Sequence, residues 1–311
     1  MADFGMYQLI SKNKRNSYLL LFLMLILISA ICTIFGGIYG GKEYIIISFI
    51  TGLLVAGMSG LFGYFIGAPA IMAMSGAREV KPEQEPQLYN IVEEVCIAAG
   101  LPRPGVYVIE SDCPNAFATG RNPEHAAIAV TRGLMNTLNR NELQGVIAHE
   151  ISHVGNYDIL FGTLMSIFVG TAIILSDIMF RSILWSGGGR SSRSSRSSGN
   201  AKMILLLIAI LLKILTPILA IIIQLASSRQ REYLADATAA KITRNPGALA
   251  DALRKISGYQ GQYEYASSGT QQLYIINPFK EKRTIEKESI FSTHPPIKLR
   301  IECLKKLELG M

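Results

Sequence analysis

The chain of 311 residues is 50% hydrophobic and only 17% charged, where an ordinary soluble protein carries roughly a quarter charged residues. That balance excludes a plain water-soluble globule and indicates a membrane protein. The net charge of +7 is spread along the chain without a nucleic-acid motif, which excludes nucleic acid as a partner and favours anionic lipid headgroups.

In chain order, the first two elements are apolar stretches from Leu19 to Ile38 and from Ile45 to Ala73. Each is long enough for the about 20 helical residues a bilayer requires. The first is too long for a signal-peptide core and lacks a small-residue cleavage site, so it reads as an uncleaved anchor. Gly36 and Gly40, and again Gly63 and Gly67, have the spacing that lets membrane helices approach closely, although glycine is also simply tolerated there. Apolar residues at Leu88, Ile91, Val92, Val95 and Ala98 predict an amphipathic helix over Gln84 to Ala98, stopped by Gly100, Pro102 and Pro104. Val106 to Ile109, Ala116 to Thr119 and Ala126 to Thr131 predict a small sheet. Asn141 is a candidate N-cap for the next helix, which runs through Leu143, Val146, Ile147 and Ile151 to about Gly155. Two more apolar stretches, Ile159 to Phe180 and Met203 to Ala226, flank a Ser, Gly and Arg tract at 186–200 that cannot bury a core and reads as a tether. A helix-like run from Arg229 to Thr243 follows. Cys32, Cys96, Cys113 and Cys303 have no paired spacing and imply neither a disulfide framework nor a cysteine metal site.

The chemistry concentrates in His149-Glu150-Ile151-Ser152-His153. On an α-helix, residues four apart leave the same face, so the two imidazoles can meet one tetrahedral ion, with Glu150 placed to hold and deprotonate a zinc-bound water. Two surface histidines are the bland alternative, but Val146, Ile147, Ala148 and Ile151 make this helix too apolar to face solvent. A catalytic zinc takes three protein ligands and keeps one position open. The metzincin pattern is excluded, because Asn156 and Ile159 stand where it needs Gly and His. His125 and His294 are possible third ligands. A better candidate is Glu232, with Asp236 four residues on and able to hydrogen-bond the far nitrogen of a ligand histidine. Spacing alone leaves open that both are exposed helix carboxylates.

The same residues resemble the HtpX-type membrane zinc metalloproteases, relatives of the CAAX prenyl protease among the glutamate-liganded zincins. The resemblance spans nearly the whole chain: the two-helix anchor, Asn115-Ala116-Phe117-Ala118, Leu138-Asn139-Arg140-Asn141-Glu142-Leu143 leading into the metal motif, two further membrane stretches, Glu232 to Asp236, and Ser292-Thr293-His294-Pro295-Pro296. It implies that Glu232 is the third zinc ligand with Asp236 behind it, and that Asn115 and Ala116 lie on an edge strand that pairs with substrate backbone. It further implies that His294 stabilises the oxyanion and that Arg300 is the basic residue following it. The Ser/Arg tract departs from the pattern and leaves the geometry of the second hairpin open.

The expected fold class is therefore α+β: four apolar membrane helices and a mainly helical zincin domain with a small sheet. Residues 1–75 would form a membrane hairpin, 76–158 and 227–311 the two parts of the protease domain, and 159–226 the second hairpin. The expected activity is zinc-dependent hydrolysis of peptide bonds in misfolded or damaged membrane proteins, with one Zn2+ per chain. Lys12, Lys14 and Arg15 ahead of the first helix predict a cytoplasmic N-terminus and a catalytic domain facing the cytoplasm from the plasma (inner) membrane. Three rivals remain: a CAAX-type prenyl protein protease, a catalytically dead scaffold, against which intact Glu150 argues, and a channel or transporter, for which Lys213 and Asp177 are thin support.

Overall fold

The computed structural model describes residues 2–186, 210, 229–259, 275 and 295–310. Two long helices open the chain, α1 (Ala2–Gly40) and α2 (Ile45–Met74), joined by a short turn. A three-residue strand β1 (Ala77–Glu79) precedes helix α3 (Pro86–Ala99). Strands β2 (Gly105–Ile109), β3 (Ala116–Gly120) and β4 (Ala126–Thr131) follow, then a short helix α4 (Arg132–Thr137), α5 (Arg140–Gly155) and α6 (Asp158–Ser186). Beyond the undescribed stretch come α7 (residues 229–243), α8 (Pro246–Ser257) and α9 (Ile297–Glu308).

Among the described residues, three helical segments are long and apolar enough to cross a membrane: Tyr18–Gly37, Lys42–Met74 and Asp158–Ser182. They pack on one another through Met24, Ile28, Ala56, Met165, Phe168 and Ala172. Outward, α2 leaves Ile46, Met58 and Phe65 between 61% and 72% exposed among the described residues, an apolar surface suited to lipid. The glycine spacing marks real close contacts. A Cβ on Gly36 would fall within 1.6 Å of the Ser48 hydroxyl, and one on Gly67 within 2.6 Å of Thr163 on α6. The fourth apolar stretch, Met203 to Ala226, lies outside the described residues apart from residue 210, as does the tether after residue 186.

The sheet has the order β1-β2-β4-β3, with β2 parallel to β4 and the other pairs antiparallel. Strand periodicity of two divides its faces. Val106, Val108, Ala118, Ile128 and Val130 pack towards α3, α5 and α8, while Ile109, Phe117 and Ala129 meet Ile71 and Met72 at the inner end of α2. The first of these cores also takes Ala239, Leu249, Leu253 and Leu304, so both polar segments of the chain build one hydrophobic interior.

Two details differ from the sequence reading. The N-cap of α5 is Asn139, two residues earlier than Asn141: the Asn139 side chain accepts from the Glu142 N–H while the Glu142 carboxylate accepts from the Asn139 N–H, a reciprocal capping box. Strand β1 was not expected, because its three residues Ala77-Arg78-Glu79 carry no apolar alternation. Helix α3 ends as expected, at Gly100 in the left-handed conformation (φ 65°).

Candidate metal centre

Helix α5 is buried along its second half, and the burial includes His149 and Glu150 at 1% and 3% exposed. Its neighbour α7 brings Glu232 against the two histidines. His149 Nε2 lies 3.3 Å from His153 Nε2 and 3.6 Å from Glu232 Oε2, and His153 Nε2 lies 3.5 Å from Glu232 Oε1. Four ligands about 2.1 Å from a tetrahedral zinc sit about 3.4 Å from one another. The three donors therefore outline one face of such a polyhedron, and they form a group that could hold a metal ion.

The surroundings fit a dication. Glu150, Asp158, Glu232 and Asp236 are four carboxylates, and the guanidinium groups of Arg231 and Arg300 are the two fixed cations set among them by the described residues. With all six ionised, two negative charges remain to be balanced in a buried place, where unbalanced charge is costly. In the metal-free chain that balance falls to the imidazoles. Burial disfavours a charged His153, but hydrogen bonds to Asp158 and Glu232 outweigh it and push its pKa up to about 10. His149 is raised in the same sense, against burial, by Asp236 and Glu232. A metal ion would take the place of those protons.

Around this triangle the other residues fall into place. His149 Nδ1 lies 2.9 Å from Asp236 Oδ1. Asp236 in turn accepts two hydrogen bonds from Arg300, at 2.7 and 2.8 Å. Arg300 is fully buried and also sits 3.0 Å from Glu232 Oε2. Burial and the Glu232 carboxylate raise the Glu150 pKa, opposed by the two histidines and by a hydrogen bond from the Ala118 backbone. That last contact sets Glu150 beside β3, the edge of the sheet.

Ala116 lies on β3, its backbone carbonyl accepting from the Ile275 N–H at 3.1 Å. Asn115 precedes the strand and is tied to Thr131, its N–H donating to the Thr131 hydroxyl at 2.8 Å. His125 stands apart in a turn, bonded to Asn122, and is no part of the cluster. His294 lies outside the described residues.

Sequence reasoning missed two residues of the site, Asp158 and Arg231. Asp158 Oδ2 is 3.2 Å from His153 Nδ1, and Arg231 Nε is 3.6 Å from Asp158 Oδ1. Their signal was weak but present: an acid five residues after the second histidine, and a base immediately before Glu232.

A buried histidine pair and glutamate that could hold a metal, set beside an edge strand and long apolar helices, is the arrangement a membrane metalloprotease requires. The sequence profile of peptidase family M48 matches residues 82–308. A protein named Protease HtpX homolog from Thermoanaerobacter pseudethanolicus is 43% identical over 313 residues, covering 99% of this chain and 100% of the relative. One of the same name from Listeria monocytogenes serotype 4a is 42% identical over 314 residues, covering 97% and 100%. Among solved structures, the crystal structure of S. mikatae Ste24p aligns with a TM-score of 0.45 at 20% identity, covering 92% of this chain and 61% of that one. The chain belongs to peptidase family M48.

Proposed function

We propose that this chain is a zinc metalloendopeptidase that cuts misfolded or damaged membrane proteins close to the bilayer. His149, His153 and Glu232 would hold one zinc ion per chain. The observation that carries the reading is the triangle of donor atoms at 3.3, 3.5 and 3.6 Å. Bound there, zinc supplies Lewis acidity towards the scissile carbonyl and lowers the pKa of the attacking water.

The remaining roles belong to side chains. Glu150 takes a proton from the water at its carboxylate and returns it to the leaving amine nitrogen. Asp236 fixes the His149 tautomer by accepting from Nδ1–H, and Arg300 holds Asp236 while neutralising part of the Glu232 charge. Pairing of Asn115 and Ala116 with substrate backbone along β3 is assigned by resemblance, and because the Ala116 carbonyl accepts from the Ile275 N–H, an added substrate strand would displace that bond. His294 is assigned the oxyanion by resemblance.

Proximity to the membrane supports the substrate class. Asp158, five residues after His153, opens the apolar helix α6, and Thr163 on that helix accepts a hydrogen bond from the Gly120 N–H of β3 at 3.2 Å. The site thus stands at the foot of the membrane helices. Residues 76–158 and 227–311 act as one protease domain, and the domain faces the cytoplasm from the plasma membrane.

The test is cleavage of an unfolded polypeptide, a membrane protein and a prenylated CAAX peptide by the purified full chain in detergent. Chelator should abolish cleavage of the first two, and zinc should restore it. Activity on the prenylated peptide alone would favour CAAX processing, and activity indifferent to chelator would overturn the zinc assignment.

A further inference from the structure

The centre holds two histidines, and Asp236 orients only one of them. An imidazole that offers its Nε2 lone pair to a metal carries its proton on Nδ1, and that N–H needs a buried acceptor to fix ring and tautomer. For His149 the acceptor is Asp236, itself held by Arg300. Asp236 is committed to those two partners. His153 must be served from elsewhere.

We propose that Asp158 is the positioning residue of His153 and that Arg231 holds Asp158. The site then contains two chains in the same order, a hydrogen-bonded one from Arg300 to Asp236 to His149 and a looser one, through an ion pair, from Arg231 to Asp158 to His153. The proposal rests on the metal-centre reading given above, which counted Asp158 and Arg231 among the buried charges, and gives them a positioning role.

Local structure shows how Asp158 reaches this place. Were α5 to run straight into α6, a residue five positions on would lie about 140° around the helix from His153 and face away. The chain breaks instead. Helix α5 ends at Gly155, and Tyr157 takes a left-handed conformation with φ 61°, one that residues other than glycine adopt at a cost. The reversal returns the Asp158 carboxylate to His153, with Oδ2 3.2 Å from Nδ1. Nε2 of the same ring is left directed at His149 Nε2 and Glu232 Oε1, at 3.3 and 3.5 Å.

The second link is a looser ion pair than the two hydrogen bonds from Arg300 to Asp236. Arg231 is 5% exposed, places Nε 3.6 Å from Asp158 Oδ1 and lies with its guanidinium carbon 4.0 Å from the centre of the Phe161 ring. Phe161 belongs to the first turn of α6, and Arg231 immediately precedes Glu232 on α7. One carboxylate therefore fastens together the helix of both histidines, the helix of the third donor and the first turn of a membrane helix. The orientation of His153 is set from the membrane side of the protein, that of His149 from the opposite helix.

The test uses the full chain in detergent, stripped of metal and titrated with zinc and separately with cobalt, whose visible absorption reports ligand geometry. Asp158→Ala should weaken metal binding about 10 to 100-fold and alter the cobalt spectrum. Asp158→Asn, whose amide oxygen still accepts from Nδ1–H, should bind within about threefold of the wild type. Asp158→Ser keeps a polar group at the start of α6 but cannot reach His153, so it should behave as Asp158→Ala and serves in its place if the alanine variant does not fold. Asp251→Ala, an exposed carboxylate remote from the site, should change nothing. Wild-type affinity and spectrum in the Ser variant would overturn the proposal, as would an Asn variant as weak as the Ala one. A wild-type chain that takes up no zinc would overturn the metal-centre reading itself.

Discussion

Glu232 and Asp236 lie one helical turn apart on α7, yet they should fail differently when removed. Glu232→Ala deletes one corner of the donor triangle and should abolish stoichiometric zinc binding. Asp236→Ala leaves the triangle and should weaken binding about 10 to 100-fold, measured by competition with a chromophoric chelator. Zinc kept by the first variant and lost by the second would reverse the two roles. The pH dependence follows from the histidines. Because the metal-free His153 pKa is raised to about 10, protons compete with zinc at every lower pH. Apparent affinity should climb with pH by about tenfold per unit for each proton displaced, and level off near pH 10. An affinity that is flat between pH 6 and 9 would contradict the protonated metal-free site. At this scale the sequence was most informative where spacing encodes geometry. His149 and His153 at i, i+4 and Glu232 and Asp236 at i, i+4 share helix faces by spacing alone. Asp158 and Arg231 could not be placed that way, because their contacts depend on the left-handed turn at Tyr157 and on the crossing of α7, which no local pattern records.

The helices hold the site through close contacts that admit no extra volume. Gly145, one turn before His149, faces α8 so tightly that a Cβ would lie 3.0 Å from the Leu249 backbone nitrogen. Gly145→Val should therefore push α8 outward and destabilise the protease domain by about 1–3 kcal/mol, seen as an earlier thermal transition than in a control Gly57→Ala, where a Cβ meets nothing within 4 Å. An unchanged transition would show that the α5 and α8 contact yields freely. The elements themselves were largely readable. Periodicity located α3, composition three of the four strands, and apolar length the three described membrane helices. Strand β1 escaped notice because its three residues carry no apolar alternation and its antiparallel pairing with β2 leaves no local signal. The capping residue of α5 was misplaced by two positions because Asn139 and Asn141 both suit a cap, and only the reciprocal bond with Glu142 distinguishes them.

The whole molecule joins a bundle of membrane helices to a protease domain through the sheet and the start of α6, and this arrangement fixes which surfaces share a side of the bilayer. The turn between α1 and α2 and the domain carrying α8 stand at opposite ends of α2. In a background lacking Cys32, Cys96, Cys113 and Cys303, a cysteine at the exposed Glu43 should react in intact cells with a membrane-impermeant thiol reagent, while one at the exposed Asp251 should not. The reverse pattern would place the protease domain outside. Lys12, Lys14 and Arg15 ahead of the first helix predict this orientation, while a full crossing of the second hairpin would put Arg190, Arg193 and Arg196 outside, against the same bias; no pattern in the chain names the substrates or the depth of that hairpin. The central claim, that the buried cluster is a zinc centre in which Glu150 moves the proton, is tested most directly by the turnover of Glu150→Gln protein on an unfolded polypeptide, with zinc content measured on the same sample. The expected result is one zinc per chain and a loss of at least about 10² to 10⁴ in rate. A zinc-loaded Glu150→Gln chain that cleaves at the wild-type rate would contradict it.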